Sequence, residues 1–543
     1  MWKTIISYIP SWQVWAQASV AFLFPTLFYY CYRRVRSFVV NKKDYGYQAA
    51  HPTSPRPLVG DYNEKLEAVK EEIGNNGDVN FRDFIIMGTN IKATLIYIDG
   101  MLDPQSISMQ VMRMLMYQDQ SELDYCSSED LNKYVLNKVL PIADVDVVTM
   151  LDDLNEYILK GYTALLIEGM PQALLVGIPS GKTRPITEPI SESLLRGPRL
   201  GFTEELSENT SMLRRQGYTE DLEIKKYKIG SRIRKTLVVA YIKGIVNPDL
   251  LNEVDKRLKN IDMDSFLDAG YIEQLTEDDV FSPFQQAQNT ERPDRVISAL
   301  LEGRIAILLD GTPFALIVPV TFSMLLQSPE DYYERWLPAS FLRMLRFLCA
   351  FISLLAPSLY ISFISFHPGL LPTELAITII ETRQGVPFPS LVEVLILEIA
   401  IEILREAGIR LPKPIGPAMG IVGGLIIGEA AVQAGIVSPF LVIVVAVTAI
   451  SSFAIPMYSA GITLRMLRFA GMMFAAPLGM FGTVIFFLFL CSHITKLESF
   501  GVPYVTPFSP FRINDWKDLY IRAPLSLMDY RPDLMKTQNN KRR

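Results

Sequence analysis

At 543 residues the chain has room for three to four structural units of roughly 150 residues each, which excludes a single small module. Charged residues make up 20% and hydrophobic residues 49%, with a mean hydropathy of +0.21, so neither a disordered chain nor one wholly buried in membrane fits. The net charge of −6 averages +6 over residues 1–43, −17 from Asp44 to Ser340, +1 from Phe341 to Phe500 and +4 in the tail, and the acidic stretch would repel nucleic acid.

In chain order, Val14 to Tyr32 is largely apolar and is followed by Arg33, Arg34 and Arg36. This reads as a candidate membrane anchor within residues 1–43, with its C-terminal side in the cytosol, rather than a removed signal. Residues 44–80, including the segment His51 to Pro57, read as a linker. The four cysteines, Cys31, Cys126, Cys349 and Cys491, lie far apart with no C-x-x-C, so neither a disulfide framework nor a zinc site is indicated and the charged part belongs in the cytosol.

From Phe81 to Val320 the sequence repeats itself. ATLIYIDGMLDP ends at Pro104 and TLVVAYIKGIVNP ends at Pro248, 144 positions later, with Gly100 and Gly244 at the same offset. Further on, Gly161, Gly169 and Pro171 recur as Gly303, Gly311 and Pro313, 142 positions away. Each copy runs strand, glycine turn, helical pattern (Gln105 to Met116; Asp249 to Ile261), then a hairpin turning at E-G or D-G. The spacing predicts two related α/β subdomains, residues 81–198 and 199–330, with the same strand order, joined by a basic helical linker near Leu213 to Arg215. Gly177 to Thr183 resembles a phosphate loop, but it has three residues where four are required and carries a proline, so it reads as a basic turn.

Residues 341–500 hold only 17 charged side chains and read as a helical, polytopic transmembrane domain, followed by a basic tail over 501–543. Uncharged runs at Phe347 to Thr373, Ala430 to Leu464 and Phe469 to Thr495 supply at least three spans. A fourth is marked by Gly416, Gly420, Gly424 and Gly428, a small-xxx-small ridge suited to a tight helix contact, within the chain or between subunits. Arg343/Arg346, Arg405/Arg410/Lys413 and Arg465/Arg468 read as cytosolic turns. A five-span reading leaves the basic tail on the wrong side, and the parity stays open.

Pro389 to Gly408 is apolar enough for a span yet carries Glu393, Glu398, Glu402, Arg405 and Glu406. With Glu393 as origin and about 100° per residue, the other four fall at about 140°, 180°, 120° and 220°. Each charge facing lipid would cost about 2.5–3.5 kcal/mol, so the shared arc of Glu398, Glu402, Arg405 and Glu406 must meet water, headgroups or a partner. Two readings stand: an amphipathic helix at the interface, or a water-filled, cation-favouring pathway. Prolines between Pro357 and Pro456 break the helices, as in helices that line a cavity, although span ends also carry them.

GRIAILLDGTPFALIVPVTF from Gly303, SPEDYYERW from Ser328, PFPSLVEVLILEIAIEILREAGIRLPKPIG from Pro387, EAAVQAGIVSPFLVIVVAVTAISSFAIP from Glu429 and SFGVPYVTPF from Ser499 closely resemble the A-subunit family of bacterial GerA-type spore germination receptors. GPRLGFTEELSEN, the pair Arg214-Arg215 and TERPDRV extend the match, which covers roughly residues 85–525. The resemblance implies a nutrient-responsive receptor subunit in the inner spore membrane, multi-pass, with its soluble region cytosolic. It also implies assembly with a transporter-like B subunit and a lipoprotein C subunit, and an ion-conducting homo-oligomer. Glu429 stands where the family pattern has Gln, SPFQQ replaces SPFPQ, and the N-terminal anchor is unusual. The stage V sporulation AF-type paralogue, an accessory ion channel, shares these motifs and remains an alternative. A secondary transporter should show two matching sets of broken spans, and no such pairing is visible. Catalysis, a cofactor and a metal are not expected: the three histidines, His51, His367 and His493, have no partner acid or thiol at motif spacing.

Overall fold

The computed structural model describes residues 56–102, 104–117, 134–139, 145–177, 188–189, 191–192, 194–217, 219–411 and 416–542. The candidate anchor at 1–43 and residues 178–183 of the phosphate-loop-like segment lie outside them. The chain divides into two units. The larger holds Pro55–Arg522 and Arg531–Asn540; the smaller includes Ala523–Tyr530 and Lys541–Arg543, where Tyr530 bridges Lys541.

Two five-stranded sheets occupy the first part of the larger unit. The first repeat is α1 (Tyr62–Ile73), β1 (Val79–Ile85), β2 (Lys92–Ile98), a helical segment α2 over 104–117, β3 (Val145–Val148), α3 (Leu151–Leu159), β4 (Thr163–Ile167) and β5 (Ala173–Val176). The second is α4 (Leu206–Gln216), β6 (Leu222–Ile229), β7 (Lys235–Ile242), α5 (Pro248–Lys259), α6 (Ala269–Thr276), β8 (Gln288–Thr290), α7 (Pro293–Leu301), β9 (Ile305–Leu309) and β10 (Ala315–Val318). The orders are β1-β2-β4-β5-β3 and β6-β7-β9-β10-β8, with every pairing antiparallel.

The repeats match in register as well as order. Leu95 faces Leu165 and Val239 faces Ile307, the same pair displaced by the 144 and 142 offsets of the sequence. The glycines match in backbone: Gly100 and Gly244 at φ 79° and 74°, Gly161 and Gly303 at 100° and 91°, Gly169 and Gly311 both at 87°. These left-handed turns are open to glycine at little steric cost, which is why the same positions carry it twice. Central strands read as unbroken apolar runs because helices cover both faces. In the first sheet Leu95 and Leu165 pack on the α2 side, whereas Ile96 and Leu166 pack against α1 and α3.

Two segments read as linkers are structural. Residues 62–80 contain α1, opened by an Asp61/Glu64 capping box, whose Tyr62, Leu66, Val69 and Ile73 sit one above another and enter the first core. The prolines just before it, Pro52, Pro55 and Pro57, mask that stripe in the sequence. Leu213 to Arg215 belongs to α4, where Arg214 is buried, its Nε and Nη2 each donating to Asp78 at 2.9 Å and Nη2 also to Asn76 Oδ1 at 2.8 Å. This bidentate pair ties the second repeat to the first.

The helical region follows: α8 (Trp336–Ser365), α9 (Thr373–Arg383), α10 (Ser390–Arg410), α11 (Gly416–Gln433), α12 (Pro439–Phe453) and α13 (Tyr458–Lys496). By length and composition α8 and α13 are long and apolar enough to cross a membrane; α12 is apolar and shorter. The uncharged run Ala430 to Leu464 is therefore not one span but the end of α11, all of α12 and the start of α13. The run Phe469 to Thr495 is also broken, because Gly479 (φ 57°, ψ −133°) leaves helical geometry.

At Gly479 the chain folds back. Thr463 donates to the Pro283 carbonyl at 2.6 Å, and His493 Nε2 lies 2.9 Å from Ser282 Oγ, so residues 30 apart meet one loop. A straight helix would separate them by about 45 Å. The Phe474 and Phe486 rings, 5.9 Å apart, pack across the two limbs. A Cβ at Gly482 would lie 2.0 Å from the Phe474 carbonyl oxygen, so only glycine permits this approach.

Candidate functional site

Relative to the sheets, α8 has a near end and a far end. At the near end Arg343 is buried, donating to Asp331 at 3.1 Å and Asp518 at 2.8 Å, while Arg346 reaches Asp331 at 2.8 Å. The far end is marked by Tyr360, whose hydroxyl lies 3.1 Å from Ser438 Oγ, and by Phe366, against which Gly479 is packed. These contacts fix the direction of the other helices. α10 starts at the far end, where Ser390 meets Ser365, and descends until Arg405 donates to Ser452 at 2.7 Å. α11 returns to the far end, where Gly435 approaches Gly385. α12 descends to Met457, which meets Arg295 at the sheets. The first limb of α13 rises, and the second descends to His493.

Along α10 the acidic residues form a column of ion pairs. Glu393, fully buried, accepts from Arg383 Nη2 at 2.6 Å. Glu398 accepts from Arg468 Nη2 at 2.9 Å, both side chains 1% exposed. Glu402 lies 3.4 Å from Arg465 and 3.9 Å from Arg405, and the Arg405 guanidinium also covers the Phe453 ring at 4.3 Å. Glu406 stays exposed and pairs with Arg410 at 2.7 Å. From Glu393 to Arg405 the column spans about 18 Å along the helix.

The arrangement answers the cost of placing these acids in an apolar helix: each buried carboxylate meets a guanidinium from α9 or α13. Arg465 and Arg468 are not turn markers but the inner partners of Glu402 and Glu398, and Arg343 and Arg346 are likewise engaged rather than free. Sequence reasoning missed Arg465 and Arg468 because their pairings span 63 and 70 positions, and missed Arg383, only 10 positions from Glu393, because it lies on a separate helix. One signal was available: at 39 residues α13 would be about 58 Å long, twice a bilayer core.

The column is only partly satisfied. Glu398 Oε1, Glu393 Oε2, Arg468 Nε and Nη1, and the hydroxyls of Ser353 and Ser358 are buried with no protein partner. Ser358 packs against Gly471, one turn from Arg468, so several of these orphaned atoms share one region. Buried polar atoms of this kind are ordinarily satisfied by water, so the bundle interior carries polar groups among its apolar ones. A cleft of about 300 Å³ lies at the far end, lined by Ile364, Pro368, Ile379 and Arg383.

Gly416, Gly420, Gly424 and Gly428 all fall on α11. Gly424 is exposed, and a Cβ there would meet no atom within 4 Å; at Gly428 it would meet Val442 at 3.7 Å, an ordinary contact. Glu429, also exposed, accepts from Gln433 at 3.0 Å. Among the described residues no group of His, Cys, Asp and Glu is arranged to hold a metal ion.

The tail returns to the sheets. Ser499 Oγ donates to the Gln286 carbonyl at 2.7 Å, the Phe500 amide to Asp278 at 2.7 Å and the Tyr504 hydroxyl to the Gln285 carbonyl at 2.7 Å. Among the described residues, six helical legs therefore begin and end at the same end of the bundle.

Comparison with known proteins places these observations. The model of the Bacillus/Clostridium GerA spore germination protein family matches residues 67–534. The chain is 40% identical over 484 residues to spore germination protein GerLA of Bacillus cereus, covering 89% of this chain and 97% of that one. It is 42% identical over 480 residues to spore germination protein B1 of Bacillus subtilis (strain 168), covering 88% and 98%. Among solved structures, the N-terminal domain of the A subunit of the Bacillus megaterium spore germinant receptor GerK3 matches at 34% identity and TM-score 0.38, covering 50% of this chain and 98% of that one.

Proposed function

Since the chain belongs to the GerA family of spore germination proteins, we propose that it is a multi-pass membrane subunit of a nutrient-responsive germination receptor, homo-oligomeric and ion-conducting, working with transporter-like and lipoprotein subunits. The match across residues 67–534 carries this reading. The six helical legs support a reading of six crossings in this region. A bilayer cannot separate groups in hydrogen-bond contact, so on this reading tail and sheets share one side, and an even count of crossings is the one that fits it. That side is cytosolic, with the inner spore membrane as the site of residence.

The ion-pair column supports conduction along or beside α10. Its charges nearly cancel, three acids against four arginines, so it resembles a latch more than an open acidic ring. Movement of α13 relative to α10 would unpair Glu398 and Glu402 and expose carboxylates that attract cations. Spores carrying E398Q and E402Q together, expressed to a subunit level matched to the parent because E398Q leaves Arg468 without its carboxylate, should release monovalent cations more slowly when given nutrient. Normal release at normal protein level would remove these acids from the path.

A further inference from the structure

The loop between α6 and β8 holds both limbs of the α13 hairpin, through Pro283 to Thr463 and Ser282 to His493. It is itself pinned: Gln286 Oε1 accepts from the amides of Asp278 and Asp279 at 2.8 and 3.0 Å. The neighbouring carboxylates are engaged, Asp278 with Arg257 at 2.6 Å and Asp279 Oδ1 with the Phe281 amide at 3.1 Å. The most exposed side chains of the loop are apolar. Phe281 is 98% exposed and Val280 66%.

The hairpin sets the depth of this loop. Lys496, exposed, ends the second limb three residues beyond His493, and one turn the other way Phe489 is 65% exposed on an apolar helix. On the first limb Met466, 60% exposed, stands almost one turn above Thr463. A cation at the helix end with apolar side chains one turn further in is the pattern of a membrane boundary, and aromatic rings favour that layer. Phe281 is one residue from Ser282, and so lies at the level where the limbs leave the bilayer.

We propose that Phe281, with Val280 beside it, is a lipid-contacting wedge that seats the second sheet repeat in the interfacial layer of the membrane, so that the sheet and the hairpin base ride on the same surface. The inference rests on the membrane reading of α13. Its occupant is phospholipid: the exposed apolar surface of the limbs continues into this loop, and the adjacent carboxylates are turned to protein partners.

The test uses the full chain in vesicles of phosphatidylcholine brominated near the headgroup or near the acyl end. Emission added by Phe281→Trp, taken as the difference from the parent with its five tryptophans, should be lost to the shallow bromines and much less to the deep ones. Phe489→Trp on the second limb reports the membrane reading separately. Quenching at 489 without quenching at 281 overturns the wedge and leaves that reading standing, and would point to a protein partner over the loop. Quenching at neither position overturns both.

Discussion

At the scale of single residues, Arg468 and Glu398 show how a buried pair is held rather than what it adds. Removing one member leaves the other buried and unpaired, a cost of about 3–5 kcal/mol, whereas replacing both can be near neutral. Arg468→Met should therefore lower the unfolding temperature in detergent sharply, and Arg468→Met with Glu398→Leu should recover most of the loss; an additive double mutant would mean the pair is not coupled. Glu273 on α6 makes a second case, outside the membrane helices. Burial pushes its carboxyl up to about 7; a hydrogen bond from Gln285 opposes this, and the charges of Glu277 and Asp268 add to it. Because the folded value lies above the ordinary 4.5, ionisation is penalised in the folded state. Stability from this group is fully present below about pH 4.5 and is lost as pH rises through 7. Relative to the parent, Glu273→Gln should thus gain stability over that window and hold a constant gap above it. A parallel pH profile for the two proteins would show that the site is better solvated than its geometry implies.

At the scale of elements, the hairpin of α13 decides most of the helical region. Thr463→Cys paired with His493→Cys should be joined by a short bifunctional maleimide, since both face the 282–283 loop. Gly482→Leu, which forces a side chain into the Phe474 carbonyl, should abolish that cross-link, overpacking of this kind costing at least about 1–3 kcal/mol. A cross-link that survives would place the limbs further apart. The same hairpin explains what the sequence did and did not disclose. The acids of α10 were legible because charges in an apolar helix are costly wherever they sit. The partners on α13 were not, because Arg465 and Arg468 lie 63 and 70 positions from Glu402 and Glu398 and look like any basic helix flank until α13 is packed against α10. The glycines of α11 were legible as a ridge, but spacing cannot name the surface they meet, and within the chain Gly424 faces open space.

At the scale of the whole molecule, the repetition was readable because turn glycines and strand register are local and recur at fixed offsets. The clamp of Arg214 on Asp78 was hidden because it joins one repeat to the other over 136 positions. The tail was hidden for the same reason, since a basic composition says nothing of where a segment docks. That docking has a consequence in time. Phe500 and Met535 are part of the core that includes Leu237, Val239 and Ile307 of the second sheet, yet α8 and α13, the two membrane-length helices among the described residues, are made between that sheet and them. At about 5–20 residues per second, the stretch from Val318 to Phe500 takes about 10–40 s to synthesise, during which the second core stays open. A chain stopped after Leu497 should keep its helices but leave residues 222–318 sensitive to protease, having lost the burial of two large apolar side chains at about 1.5–3 kcal/mol each. Closure of that core is thus a record of completed translation: a copy whose hairpin failed to come back would carry an unfinished domain open to proteases.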